Sequence, residues 1–342
     1  MVHPPRFRHH QVVPNSILNS LHIMNAENIK QAVIEKLSDI GYRTDDCVEK
    51  AIINAQQNEE SDIARDVLFA LCENIEIAKE KNFPLCQDTG LVVFWVKLYQ
   101  GYKKNDEINL TNILNQAVRE AFKLNNFRQS VVDDPINRVN TGDNTPAIIH
   151  FEYIDSPPPP SLPECSLNTQ SELRTPNSEL RTPNYLLSPN PYPLSPIIDI
   201  SIMLKGGGAE NMSALKMMKP ADGIQGIRDF VLDVVRNAGG NACPPLTVGI
   251  GIGGNFETCA LLAKKSLFRR HDEVNKDNFW ANEEKYLLKE INKLGIGPLG
   301  LGGNTTALKV NIEVAPCHIA SLPVAVNLEC HAHRVVELRI ED

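Results

Sequence analysis

The sequence contains no apolar run that approaches the roughly 18 residues needed to span a lipid bilayer. Its first residues also lack the apolar core of a secretory signal peptide. Basic stripes and aromatic RNA-binding patterns are absent as well, and the formal net charge is -8. This charge disfavours nucleic acids and anionic membranes as partners. Together these absences predict a cytoplasmic protein with a small-molecule ligand.

No two of the eight cysteines form the C-x-x-C pair that is common in structural zinc sites. Without a secretory signal, the cysteines are expected to be thiols, some of them metal ligands, rather than a disulfide framework. Cys86, Cys243 and Cys330 stand apart because turn-forming and polar residues surround them. Thiolates that hold a cluster must leave the hydrogen-bonded ladder of a strand or helix. These three settings therefore predict an iron-sulfur ligand set, with the other five cysteines as bystanders.

Two segments depart from an ordinary globular pattern. Residues 1–23 show no periodicity and are expected to form a disordered extension, with Met24 as a hypothetical natural start. Residues 156–196 contain four consecutive prolines and a tandem SELRTPN repeat, which predicts a low-complexity insertion. The remaining chain, 24–342, is expected to form one domain around this insertion.

Apolar residues recur at intervals of three and four along the first part of the domain, which predicts an amphipathic helical layer. A continuous β-branched and aromatic run at 91–98 predicts a buried strand. Strands predicted on either side of the insertion suggest a hairpin with an expanded turn. The charged stretch 269–284 is interpreted as a solvated face or loop. Predicted helices cover 26–37, 45–54, 61–81, 110–124, 224–238 and 257–268, and the other predicted strands cover 147–154, 197–203, 246–252 and 307–314.

This alternation predicts a mixed α/β (α+β) fold, in which one or two mixed sheets lie beneath amphipathic helices. Five motifs occur along it: PLCQDTG at 84–90, NTGDNTP at 140–146, KGGG at 205–208 followed by Glu210-Asn211-Met212, ACPP at 242–245, and ASLPVAVN at 320–327. Together they resemble the class I, iron-sulfur fumarate hydratase family. More narrowly, they resemble the α subunit of two-subunit fumarases and L(+)-tartrate dehydratases. The resemblance covers 25–335 without the insertion.

The resemblance implies a [4Fe-4S] cluster held in a loop-lined cleft by Cys86, Cys243 and Cys330. Three thiolates leave one iron open to act as a Lewis acid, which suits the reversible hydration of fumarate to L-malate in the tricarboxylic acid cycle. Cys317 and Cys259 do not match family ligand positions. The resemblance also implies site residues for a small dicarboxylate: Asp88 and His318 as catalytic groups, and Gln87, Asp88, Arg128, Gly206, Gly207 and Gly208 as substrate contacts.

The family's full active site also uses a second domain, for which this chain has no room after its third cysteine. The resemblance therefore implies a separate β subunit, and a heterodimer that dimerises further. L(+)-tartrate and mesaconate are alternative substrates. Alternatives of another class are a non-catalytic iron-sulfur or zinc module, such as a redox or oxygen sensor, and a dinucleotide site at 249–254, whose glycine spacing is wrong for that purpose.

Overall fold

A computed structural model describes residues 26–99, 104–155 and 197–341. The predicted extension, the hypothetical start at Met24 and the insertion at 156–196 lie outside the described residues. The described helices are α1 (Ala26–Tyr42), α2 (Asp46–Asn58), α3 (Asp62–Lys81), α4 (Lys104–Leu124), α5 (Gly207–Asn211), α6 (Gly223–Ala238), α7 (Phe256–Ser266) and α8 (Asn278–Asn292). The strands are β1 (Leu91–Leu98), β2 (Ile148–Tyr153), β3 (Ile198–Lys205), β4 (Ala214–Met218), β5 (Leu246–Gly254), β6 (Ala307–Cys317), β7 (Leu322–Glu329) and β8 (Arg334–Ile340).

The strands form two four-stranded sheets, ordered β2-β1-β3-β8 and β4-β7-β5-β6. Both sheets are mixed: β1 runs parallel to β2 and antiparallel to β3, and β5 runs parallel to β6 and antiparallel to β7. The predicted mixed α/β fold with mixed sheets is thus confirmed. Within the described ranges, no helix has the length and apolarity needed to cross a membrane.

The first sheet is covered on both faces, which explains the continuous apolar run of β1. Val92 and Phe94 pack in one buried cluster with residues of α1 and α4. Val93 and Trp95 point to the other face and pack with Phe268. A strand buried on both faces has no polar side to alternate with.

The second sheet packs against helices from several parts of the chain, and two glycines of β5 allow one of these helices to approach closely. A Cβ atom at Gly251 would lie 2.0 Å from the Cys259 carbonyl oxygen of α7. A Cβ atom at Gly249 would lie 2.4 Å from the Ala263 carbonyl oxygen. Gly249 and Gly251 therefore serve helix-sheet packing inside a strand. Gly253 and Gly254 have positive φ and end β5 just before α7.

The hairpin predicted across the insertion is wrong. β2 and β3 do not pair with each other, because β1 lies between them and pairs with both. The insertion therefore lies between two strands, β2 and β3, that flank β1 in the sheet. Strand pairing depends on partners distant in sequence, and the apolar pattern of two strands does not show what lies between them.

The interpretation of 269–284 as a solvated face or loop is also wrong in its second half, because α8 begins at Asn278. Glu284 is 6% exposed. Its carboxylate accepts hydrogen bonds from Arg269 Nη1 at 2.8 Å and from the Ile312 N–H at 2.8 Å. Burial of this carboxylate is tolerated because its charge is paired and hydrogen-bonded.

Candidate active site

The first cysteine lies in the loop that joins α3 to β1. The Leu85 N–H donates to the Gly41 carbonyl oxygen at 2.9 Å, and Asn74 Nδ2 donates to the Leu85 carbonyl oxygen at 3.0 Å. These bonds anchor the residue directly before Cys86, which is half-buried. The predicted helix-to-strand corner is therefore present, and it holds Cys86 outside both elements.

The second cysteine follows α6 and precedes β5. Cys243 has a left-handed backbone, with φ 54°, and is exposed. The neighbouring Pro244 carbonyl oxygen accepts a hydrogen bond from the Leu299 N–H at 2.7 Å. The glycine-dense segment at 295–304 thus supports the Cys243 turn, where the chain leaves helical geometry before it enters the sheet.

The third cysteine directly follows β7, where the chain crosses from the second sheet to β8 in the first. Cys330 is 9% exposed. The N–H of the next residue, His331, donates to the Cys243 carbonyl oxygen at 3.1 Å. This bond joins the second and third cysteine loops.

Cys86 packs against the same buried cluster that contains Cys330 and Ala242, the residue directly before Cys243. Burial raises the pKa of the Cys243 thiol, and Cys86 raises it further. Burial also raises the pKa of Cys330, and the charges of Glu329 and Cys86 act in the same direction. Arg334 and Lys205 oppose this rise by stabilising the Cys330 thiolate. The structure therefore brings together the loops that carry the three predicted ligands.

Asp88, two residues beyond the first cysteine, links three segments of the site. Its Oδ2 accepts the Gly207 N–H at 2.9 Å, and its Oδ1 accepts the Ser130 hydroxyl at 3.2 Å. Its carbonyl oxygen accepts Arg334 Nη2 at 3.1 Å. The structure thus brings Asp88 to the 206–208 glycine segment. The Gly207 N–H, which was predicted to contact substrate, donates its hydrogen bond to Asp88 instead.

The loop that carries Arg128 is held against the Cys86 loop by a buried asparagine. Asn144 is 0% exposed. Its Oδ1 accepts the Ser130 N–H at 2.7 Å, and its Nδ2 donates to the Gly90 carbonyl oxygen at 3.1 Å. Arg128 and Gln87 are both exposed on these loops. Their side chains are therefore accessible to a ligand.

His318 is not brought to this group. It is exposed in the turn between β6 and β7, whereas Cys330 follows the other end of β7. The eight residues of β7 separate the two ends by about 23 Å at about 3.3 Å per residue. The domain therefore places His318 at the opposite end of the second sheet.

Comparison with known proteins identifies the family. A family model described as fumarate hydratase (Fumerase) matches residues 30–158 and 168–339. The chain belongs to this family. It is 38% identical over 317 residues to "Putative L(+)-tartrate dehydratase subunit alpha" of Methanocaldococcus jannaschii, covering 92% of this chain and 98% of that protein. It is also 30% identical over 319 residues to the L(+)-tartrate dehydratase subunit alpha of Escherichia coli K12, covering 91% and 93%.

Membership of the fumarate hydratase family makes the chain a hydro-lyase homologue and implies an iron-sulfur cluster. In the part of the chain that the structure describes, no three His, Cys, Asp or Glu side chains are close enough to hold one metal ion. Cysteines that hold a cluster bind different irons, so they do not need to converge on one point. Cys86, Cys243 and Cys330 are all free. The residues present therefore fit a cluster.

A buried cation beside the cysteines supports this fit. Arg334 is 0% exposed, and its Nη1 has no hydrogen-bond acceptor among the described residues. A buried unpaired donor is costly unless another group satisfies it. The charge of Arg334 also opposes the rise in the pKa of the Cys330 thiol. An anionic cluster bound to thiolates is the kind of group that such a cation stabilises.

Sequence reasoning missed Arg334 and Ser130 in this member of the fumarate hydratase family. The available signal for Arg334 was a charged residue at the start of an apolar stretch, four residues after Cys330. Ser130 stood two residues after Arg128 in a polar loop. Neither position differs from an ordinary surface residue until the loops are packed together.

Proposed function

We propose that this chain is the α subunit of a [4Fe-4S] hydro-lyase that reversibly hydrates fumarate to L-malate. The supporting observation is the convergence of the three cysteine loops, which are joined by the hydrogen bond from His331 to Cys243 and by the packing of Cys86 against the buried cluster that contains Cys330. A cluster on three thiolates would supply an open iron as a Lewis acid for the substrate hydroxyl and carboxylate.

The chain's own residues would bind and orient the dicarboxylate. Arg128 offers a planar guanidinium that pairs with a carboxylate through two parallel hydrogen bonds. Gln87 offers an amide from the residue next to Cys86. The Asp88 carboxylate is fixed by Gly207 and Ser130, so it would meet the substrate in one orientation and serve in proton transfer.

A separate β subunit would complete the site. Both relatives described above are named as α subunits. Cys243, Gln87 and Arg128 are exposed in this chain, and a hydration site needs a second wall to control the access of water. The resulting heterodimer would associate further.

His318 would act in the site of a second copy of this chain, because β7 separates it from Cys330 of its own chain by about 23 Å. We expect His318→Ala and Cys330→Ser complexes to be inactive separately. Mixing and reassembling their subunits should restore up to about a quarter of the sites if the two chains pair at random. The measurement is fumarate hydration by the mixed complex. If the mixture stays inactive although native gels show mixed assembly, the exchange of His318 between copies is refuted.

The relatives' names make L(+)-tartrate the second candidate substrate. The test is anaerobic co-expression with a candidate β subunit, followed by kcat/KM for fumarate, L(+)-tartrate and mesaconate. We expect fumarate to give the highest value. A higher kcat/KM for L(+)-tartrate would make tartrate the substrate, while the protein would still be a hydro-lyase. If the complex shows no turnover and none of the three compounds changes the EPR spectrum of its cluster, the result would favour a redox or oxygen sensor.

A further inference from the structure

A partly buried group of charges lies beside the cysteine site, and no step of the proposed reaction uses it. Lys205, the last residue of β3, is 1% exposed. Its ammonium group lies 3.1 Å from Glu329 Oε2 and 3.3 Å from Glu210 Oε2, and it donates to the Leu328 carbonyl oxygen at 2.6 Å. Lys264 Nζ lies 2.6 Å from both carboxylate oxygens of Glu210. Two lysines therefore balance two glutamates.

Three of its four members are next to residues of the site. Lys205 directly precedes Gly206, and Glu210 follows the glycine segment in α5. Glu329, which is 0% exposed, directly precedes Cys330, and its Oε1 lies 3.6 Å from the Cys330 sulfur. The group therefore contacts both the glycine segment and the third cysteine.

Lys205 also connects the two sheets. It ends β3 of the first sheet, whereas Glu329 ends β7 of the second. The glycine segment and the Cys330 turn are the two places where the chain crosses between these sheets. A buried ion pair at this position fixes the separation of the two crossings, because moving either strand would leave a charge buried without a partner.

From this geometry we infer that Lys205 is a positioning residue, which holds the glycine segment and Cys330 at a fixed separation through Glu210 and Glu329. The inference rests on the proposed function, because it assigns the group to the retention of a cluster and to the binding of a dicarboxylate beside it. Residues that contact the ligands of a metal site without binding the metal orient those ligands.

The test uses the charge-balanced variant Lys205→Met/Glu329→Gln in the complex with the β subunit, because a single substitution would leave a buried charge and risk unfolding. The matched control is Asp199→Asn/Arg339→Met. Arg339 Nε lies 2.6 Å from Asp199 Oδ1, and both side chains are 9% exposed. Asp199 is near the other end of β3, so the control removes the same kind of pair from the same strand, away from the site.

We expect the Lys205 variant to fold and to release iron to a ferrous chelator about 10- to 100-fold faster than the wild type, with a raised KM for fumarate. The control should lose thermal stability but keep the wild-type rate of iron release. Equal release rates in the Lys205 variant and the wild type would overturn the inference, and so would equal acceleration in both variants. A wild-type complex that binds no cluster would instead refute the proposed function.

Discussion

Cys330→Ser is expected to remove the cluster and to lower kcat for fumarate hydration by about a thousandfold, since a Lewis-acid metal contributes several kcal/mol to the transition state. Cys330 is buried at the crossing between the two sheets, in the cluster against which Cys86 packs. A serine hydroxyl is a harder and less acidic ligand than a thiol, so it does not replace a thiolate on iron.

Cys317→Ser is the matched control, because Cys317 ends β6 and is exposed near the other end of β7. Its thiol donates to the Ser321 carbonyl oxygen at 3.4 Å. Iron and sulfide per chain, with the EPR spectrum after anaerobic reconstitution, should match the wild type in Cys317→Ser and be lost in Cys330→Ser. Cys86→Ser and Cys243→Ser should behave like Cys330→Ser. The ligand set is wrong if Cys317→Ser loses the cluster and Cys330→Ser keeps it.

The chain reconstituted without a β subunit is expected to hold the cluster but to turn over fumarate at least about 100-fold more slowly than the complex. The three thiols come from one chain and are brought together by its own loops. The side chains of Gln87 and Arg128 are exposed, by contrast, and no wall formed by the described residues opposes them to fix a substrate.

The measurement compares kcat with and without the β subunit at equal iron content per α chain. At equal iron content, a lower kcat without the β subunit reflects the missing second wall of the site and not a missing cluster. Adding the β subunit to Arg128→Ala should restore less activity than adding it to the wild type, because that carboxylate contact belongs to this chain. Full turnover by the isolated chain would refute the divided site.

Local pattern predicted most elements of the fold. The apolar run predicted strand β1 at 91–98, which the structure confirms as Leu91–Leu98. The periodic run at 61–81 corresponds to α3 at Asp62–Lys81. The pattern did not predict β7 and β8, although Cys330 lies between them. The hairpin was wrong for a related reason, since strand pairing is set by contacts between distant parts of the chain.

The sequence by itself determined the family, the fold class and the residue types that could serve chemistry, because motifs and periodicity are local properties of the chain. Only the tertiary structure decided which of them meet. It brought Cys86, Cys243 and Cys330 together from loops far apart in sequence, and it placed His318 at the opposite end of β7. It also made Lys205 a link between two sheets. Such contacts arise when buried surfaces pack, and spacing along the chain does not record them.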